Sequence, residues 1–470
     1  MVESLLYLCF ALVAFLLYSN TFQSPYIFDD WYHIPANSHI QITSLSWDAI
    51  MEAGFDSPLR RPVAYITLAL NYYFHVFDLA GYHLVNILIH LAAGIFLYIF
   101  LQTTFSLPQA RQKIEYAGWL PFSVAMIWLV HPLHVQSVTY IIQRMNSLAA
   151  MFYILSMLLY VRGRLARGKG KQSVLFLSSL CAGILALGSK ENAATLPLFI
   201  LLYEWFFLQD LSFTWLRKRF LPILGVGVFL VCVVMLFLGQ HPLDAILNSY
   251  GIRDFNMEQR VLTEFRVVLF YMGLLLFPHP ARLNIDHDFS LSLSLLNPPS
   301  TLLSLGVLLG LFGLAIMLAR RERIVAFSIF WFLGNLVIES SVIGLEIIFE
   351  HRTYLPSMFA VFAIVMVCSR ILIKRWQQVL AAALVVTLFA TWTYQRNFAW
   401  KDEVTLRRDA VAKSPTKARA LAILANTLER NHAYEEAAYY YNETLRLKPS
   451  NADEIHYNLG NVLVAQRKID

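Results

Sequence analysis

Apolar residues recur along this chain in long runs broken by short polar segments, from residue 4 to residue 395. Eleven runs are read as membrane-spanning helices, at about 4–21, 82–104, 117–135, 148–161, 173–189, 193–209, 220–239, 301–319, 325–344, 354–371 and 378–395. Each lies near the ~20 residues a bilayer crossing requires. A further stretch, VLTEFRVVLFYMGLLLFP at 261–278, is apolar enough to cross, but a crossing there would send the next basic cluster to the opposite side, so a re-entrant or interfacial segment is expected. After residue 400 the apolar period changes to that of short amphipathic helices. The pattern predicts an all-α protein, with a polytopic bundle of about 11 to 13 helices over residues 1–399 and a small helical tail over 400–470.

Composition agrees, with 58% apolar and 14% charged residues, where soluble domains carry about 25% charged. Soluble globular, disordered and disulfide-scaffold classes are excluded. Cys9, Cys181, Cys232 and Cys368 all sit inside apolar stretches without metal-ligand spacing, and read as packing residues with neither a disulfide nor zinc implied. The first run follows Glu3 with no Lys or Arg before it and no small-residue cleavage site after it, so it is read as a transmembrane helix rather than a signal peptide.

The net charge of +6 changes the picture only through its distribution. Sixteen of the 26 Lys and Arg residues before residue 400 fall in five loops: Arg111 and Lys113, RGRLARGKGK at 162–171, Arg217 to Arg219, RRER at 320–323, and Arg370, Lys374 and Arg375. If these are cytoplasmic, the N-terminus is inside and the tail outside, and no nucleic-acid partner is implied. The loop over about 20–80 is then external and has five acidic residues before Arg60, the first basic one. Its second half, RRPVAYITLALNYYFHVF, suits a helix lying in the membrane interface.

The external side gathers the chemistry. Asp29 and Asp30 are adjacent carboxylates just after the first span. One of them could act as a general base on a hydroxyl, and the plainer alternative is a solvated loop with a helix cap. Arg144, Lys190, His351 and Arg352 are cations at helix ends on the same side, suited to a lipid phosphate. Singly, each would serve equally to reach headgroups or pair with Glu191 or Glu350. His131 and His134 lack a third ligand at a recognisable spacing, so no metal site is assigned. In the tail, ARALAILANTLERNHAYEEAAYYYNETLRLKPSN from Ala418 has the order of a tetratricopeptide repeat, and IHYNLGNVL at 455–463 begins a second, incomplete unit. WKDEVTLRRDAVAKSP at 400–415 could supply a further helix, and so short an array is expected to lean on the membrane domain, form a partner interface or be truncated.

FDDWYHIPANSHI, RRPVAYITLALNYYF, GYHLVNILIH, HPLHVQSVTYIIQR, SKENAATLPLFILLYEW and EHRTYLPS, in this order and followed by tetratricopeptide repeats, resemble the transmembrane and tetratricopeptide repeat-containing O-mannosyltransferases. That family belongs to the GT-C glycosyltransferases. The resemblance implies a GT-C-like bundle that moves a sugar from a polyprenyl-phosphate donor to a hydroxyl, expected to be a Ser or Thr of an acceptor protein held by the repeats. It implies a non-cytoplasmic reaction with the base at Asp29 or Asp30, no fixed cofactor, and room for a divalent metal. The short tail is expected of a bacterial relative with a periplasmic active site, the endoplasmic reticulum membrane being the alternative. Two other classes compete: a membrane-anchored repeat scaffold without catalysis, and a lipid-linked-sugar transporter, which predicts polar residues in mid-span where this chain has few.

Overall fold

The computed structural model describes residues 2–111, 118–239, 241–251, 253–372, 374–449 and 451–466; Lys113 of the first basic cluster and the last four residues of the tail lie outside them. Among the described residues every regular element is helical. Six helices are long and apolar enough to cross a membrane: Leu79–Phe105, Ile141–Leu165, Lys169–Leu187, Ser300–Leu318, Glu350–Ile371 and Arg375–Phe398. Glu3–Leu17, Leu120–Leu129, Phe220–Val233 and Arg323–Leu336 are shorter apolar helices. The predicted run at 193–209 becomes Leu196–Tyr203 followed by a π-helical turn, Glu204–Leu208. Buried Glu204 accounts for that turn, because its carboxylate takes bonds from Arg164, Tyr160 and Gln209. Outward faces are apolar at helical spacing, as with exposed Leu5, Leu8, Leu12 and Leu16, or Leu177, Leu180 and Ile184. Such faces belong against lipid.

Ion pairs sort the helix ends into two groups. Arg164 pairs with Glu204 at 2.8 Å, Arg323 with Asp210, and Arg370 with Glu322, which gathers three of the basic loops at one end of the bundle. The opposite ends of the same helices carry Arg144, Lys190 and Arg352. The uncertain segment forms one unbroken helix, Met257–Leu276, started by an Asn256 and Gln259 capping box. Arg260 near its start donates to Glu339 O at 2.7 Å, and just beyond its end Asn284 N donates to Glu350 at 2.6 Å. The chain thus enters this helix and, by Asn284, has returned to the same end of the bundle, as a re-entrant or interfacial segment requires. Reporters fused after Arg323 and after Lys401 are expected to read cytoplasmic and external respectively; an external reading at Arg323 would require this helix to cross.

The 20–80 loop folds as a cap over the end away from the basic loops, with helices Asp29–His33, Trp47–Phe55 and Pro62–His75. The last has the two faces expected of an interfacial helix: it buries Ala64, Tyr65, Leu68 and Ala69 and leaves Tyr73 and Phe74 exposed, with exposed Phe77 just beyond its end. In the tail, Ala418–Arg430, Tyr434–Arg446 and Ala452–Ala465 are successive antiparallel repeat helices, the first and third starting 34 residues apart (452 minus 418). The helix before them, Glu403–Lys413, puts Leu406 and Ala410 into the same apolar cluster as Ile27, Tyr65, Tyr140 and Trp400 of the cap region. Around it, Asp286 pairs with Lys417 and Arg419, Arg419 also reaches Glu346 at 2.6 Å, and Lys413 donates to the carbonyls of Pro280 and Leu283. The tail leans on the membrane domain through a packed, charged seam.

Candidate active site

The FDD segment is a tight turn. Asp30 N–H donates to Ile27 O at 2.9 Å, and Phe28 between them has φ 48° and ψ −122°. Glycine is the default residue for that backbone, so a phenylalanine there is strained. The two carboxylates part company. Asp30 is fully buried, its Oδ2 accepting from Ile27 N at 3.0 Å and its Oδ1 from Ile142 N at 2.7 Å. Burial pushes its carboxyl up to about 8, against the pull of these backbone N–H groups. Asp29 is exposed, with its amide fastened to the Tyr140 hydroxyl at 3.0 Å, and Trp31 and Tyr32 stand exposed beside it. Asp30 thus ties the cap to the turn before the Arg144–Leu165 helix, while Asp29 is presented outward.

Arg144 is a second fastener. It is fully buried and its guanidinium is taken by Asn86 at 2.6 Å, Asn71 at 2.5 Å, and the carbonyls of Thr67 and Tyr82. All four are neutral acceptors from the cap and the Leu79–Phe105 helix. Four of its five N–H groups are spent on these acceptors, so Arg144 fastens the cap to the bundle, apart from the ion-paired cluster around Lys190.

Lys190, His351 and Arg352 do come together. Lys190 Nζ donates to Glu339 at 2.6 Å and to Asn146 at 3.2 Å, and Asn192 joins both. Burial pulls the lysine's pKa down against Glu339, while Glu339 lies below its usual value because Lys190 and Arg352 outweigh its own burial. Asn146 also donates to His351 O at 2.7 Å, and the His351 ring stacks on Phe349. Arg352 lies over that Phe349 ring and within 3.9 Å of Glu264, which Arg260 meets at 3.0 Å. Arg260 and Arg352 thus share one carboxylate. His351 Nδ1 and both Glu264 oxygens are buried without a protein hydrogen bond, which marks a polar cluster the protein leaves partly unfilled.

Arg61 links this cluster to the FDD turn. Its fork clasps Glu191 at 2.6 and 2.9 Å, and although burial raises that carboxyl, the guanidinium holds it at about 2. Val63 N donates to Gly188 O at 2.9 Å, and a Cβ on Gly188 would lie 2.7 Å from Val63, so glycine permits the approach. His33, bonded to Tyr65 at 2.7 Å, feels both Asp29 and Arg61, with burial holding it below its ordinary value. Sequence reasoning quoted RRPVAY and LTEF without assigning Arg61 or Glu264, and passed over Glu339 as the end of an apolar run. A carboxylate closing such a run was the available signal.

An apolar groove of about 240 Å³ runs between helices, lined by Ile127, Leu275, Val361, Ala382, Val385 and Phe389 among others and reaching from His131 to Ser369 and Gln378. A second, of about 150 Å³, shares Leu275, Leu276 and Ile364 with it. Among the described residues no group of three His, Cys, Asp or Glu side chains is placed to hold a metal ion.

No family model matches the chain, and no solved structure matches it. Among curated proteins, it is 21% identical to protein O-mannosyl-transferase Tmtc3 of Drosophila melanogaster over 97% of this chain and 56% of that protein. It is 23% identical to the protein O-mannosyl-transferase F38B6.6 of Caenorhabditis elegans over 86% of this chain and 56% of that protein. To human protein O-mannosyl-transferase TMTC2 it is 28% identical over 50% of this chain and 28% of that protein. The chain spans a little over half the length of the first two relatives. The resemblance read from FDD, SKEN and EHR therefore extends over nearly the whole chain, and its relatives are the transmembrane and tetratricopeptide repeat-containing protein O-mannosyl-transferases.

Proposed function

We propose that this chain is an integral-membrane glycosyltransferase that moves a sugar from a polyprenyl-phosphate donor to a Ser or Thr hydroxyl of a protein, on the face away from the basic loops. The observation that carries this reading is the pairing of an outward carboxylate, Asp29, with a buried cluster of cations and carboxylates reached through Arg61, in a bundle that also holds an apolar groove between its helices. In this mechanism the prenyl chain lies along the groove and the donor phosphate meets Lys190 and Arg352. Asp29 takes the proton of the acceptor hydroxyl as its oxygen bonds to the anomeric carbon. The bond from that carbon to the phosphate oxygen breaks, and the electron pair leaves on the phosphate, whose charge the cations stabilise. A single displacement inverts the centre. The repeats hold the acceptor and raise its local concentration. We assign the reaction to the periplasmic face of a bacterial inner membrane, the luminal face of the endoplasmic reticulum being the eukaryotic equivalent.

The test is transfer from radiolabelled polyprenyl-phosphate sugars to Ser/Thr-containing polypeptides by the purified protein in lipid. Incorporation is expected, and none from any donor would sink the reading. Filling the groove by Ala382→Trp is expected to raise KM for a long-chain donor at least about tenfold, the worth of two buried methylenes at ~0.8 kcal/mol each, with little change for a short-chain analogue. Equal effects on both donors would remove the groove from the site.

A further inference from the structure

Phe28 presents a problem the turn itself does not solve. A bulky residue at φ 48° and ψ −122° is strained and persists only when its surroundings over-determine it. Behind it stands the Asp30 clamp, and in front Tyr140 holds the Asp29 amide. The Tyr140 ring also packs at a tilt beside Phe28, centroids 6.4 Å apart, but does not cover its face. The group over that ring comes from the tail: the Arg407 guanidinium carbon lies 3.5 Å from the Phe28 ring centroid.

Arg407 is an unusual cation. It is 5% exposed, its Nε has no hydrogen-bond partner, and its ion pair with Glu403 is a single contact at 3.2 Å, one that Glu403 also shares with Arg430. A desolvated guanidinium with so little carboxylate contact draws much of its compensation from the ring face. The same tail supports the other side of the turn, for buried Trp400 packs on Tyr140 with ring centroids 5.9 Å apart. Seam contacts elsewhere, at Asp286 and Lys413, already attach the tail, so docking alone does not require a cation at this ring.

We propose that Arg407 is a positioning residue for the reaction: by stacking on Phe28 it holds the strained turn that aims the Asp29 carboxylate, so the tail takes part in setting the chemistry as well as in holding acceptor. This rests on the reading of Asp29 as the base. Its consequence is that loss of Arg407 falls on kcat, whereas loss of a docking contact would fall on KM for the acceptor or on stability.

The experiment is a double-mutant cycle on the full-length protein in lipid, with Arg407→Ala, Phe28→Gly and the pair, and Asp29→Asn alongside. Arg407→Ala is expected to lower kcat by ten- to about a hundredfold, the range a misplacement near 1 Å produces, with both KM values within about twofold. Arg407→Lys, which keeps charge but loses the planar stack, should fall between. In the Phe28→Gly background, where the turn needs no enforcement, the same Arg407 change should cost almost nothing further. An equal loss in both backgrounds, or a loss confined to acceptor KM, overturns the proposal. Should Arg407→Ala fail to fold, Arg407→Gln in the two backgrounds decides by the same comparison. If Asp29→Asn keeps normal transfer, the base assignment fails; if Asp29→Asn is dead while Arg407→Ala keeps wild-type kcat, only the positioning role fails.

Discussion

Asp29→Asn is expected to abolish measurable transfer while leaving the melting temperature in detergent within a degree or two of wild type. The exposed side chain of Asp29 does no structural work in the turn, which is fastened through its backbone amide and through Asp30. Removing a general base costs about 10²- to 10⁴-fold in rate, and none of that loss should appear as unfolding. Asp30→Asn should behave in the opposite way. An amide has one acceptor oxygen, so one of the two backbone N–H groups, of Ile27 or Ile142, would face an NH₂ donor. A buried donor left without a partner costs about 1–3 kcal/mol, enough to loosen the cap and lower the melting temperature, with transfer surviving in part. Full transfer by Asp29→Asn, or an Asp30→Asn protein that is dead yet as stable as wild type, would exchange the roles assigned to the two carboxylates.

The second large effect concerns Lys190. Removing one member of a buried pair leaves the other charge uncompensated, so Lys190→Met is expected to destabilise by about 3–5 kcal/mol, seen as a marked fall in melting temperature and yield. Replacing both partners by apolar side chains, Lys190→Met with Glu339→Leu, removes that penalty and should restore most of the stability. Transfer should not return, because the cation meant for the donor phosphate is gone. Stability and transfer rescued together would reduce Lys190 to a fold element and move the phosphate site to Arg352 and its neighbours.

Much of the architecture was legible because its physics is one-dimensional. Each of the eleven apolar runs became helix, since a chain in hydrocarbon must satisfy its own backbone. The repeat tail followed from its period, and the interfacial helix at 62–75 from its mixed apolar and aromatic face. Side-chain assignments depended on what could not be read along the chain. Asp29 and Asp30 are neighbours in sequence yet face opposite environments, because a turn rotates one inward onto Ile142. Arg144 carried the same charge and topological side as Lys190, but its two asparagines, Asn71 and Asn86, come from separate helices and become visible only once these pack. Glu339 was hidden for the converse reason: a single carboxylate in an apolar run, whose cationic partner lies far away in sequence at Lys190, while Glu264 has Arg260 one helical turn before it and only its second cation, Arg352, is distant.

The seam that fixes the tail through Asp286, Lys417 and Arg419 makes the repeats a ruler. An arm bolted to the bundle cannot swing to bring arbitrary points of a captured polypeptide to Asp29. On the proposed function, in which the repeats hold the acceptor and Asp29 is the base, the distance between the held segment and the reacting hydroxyl becomes a constant of the protein, and modified positions should fall at a set spacing from the bound segment whatever the sequence between them.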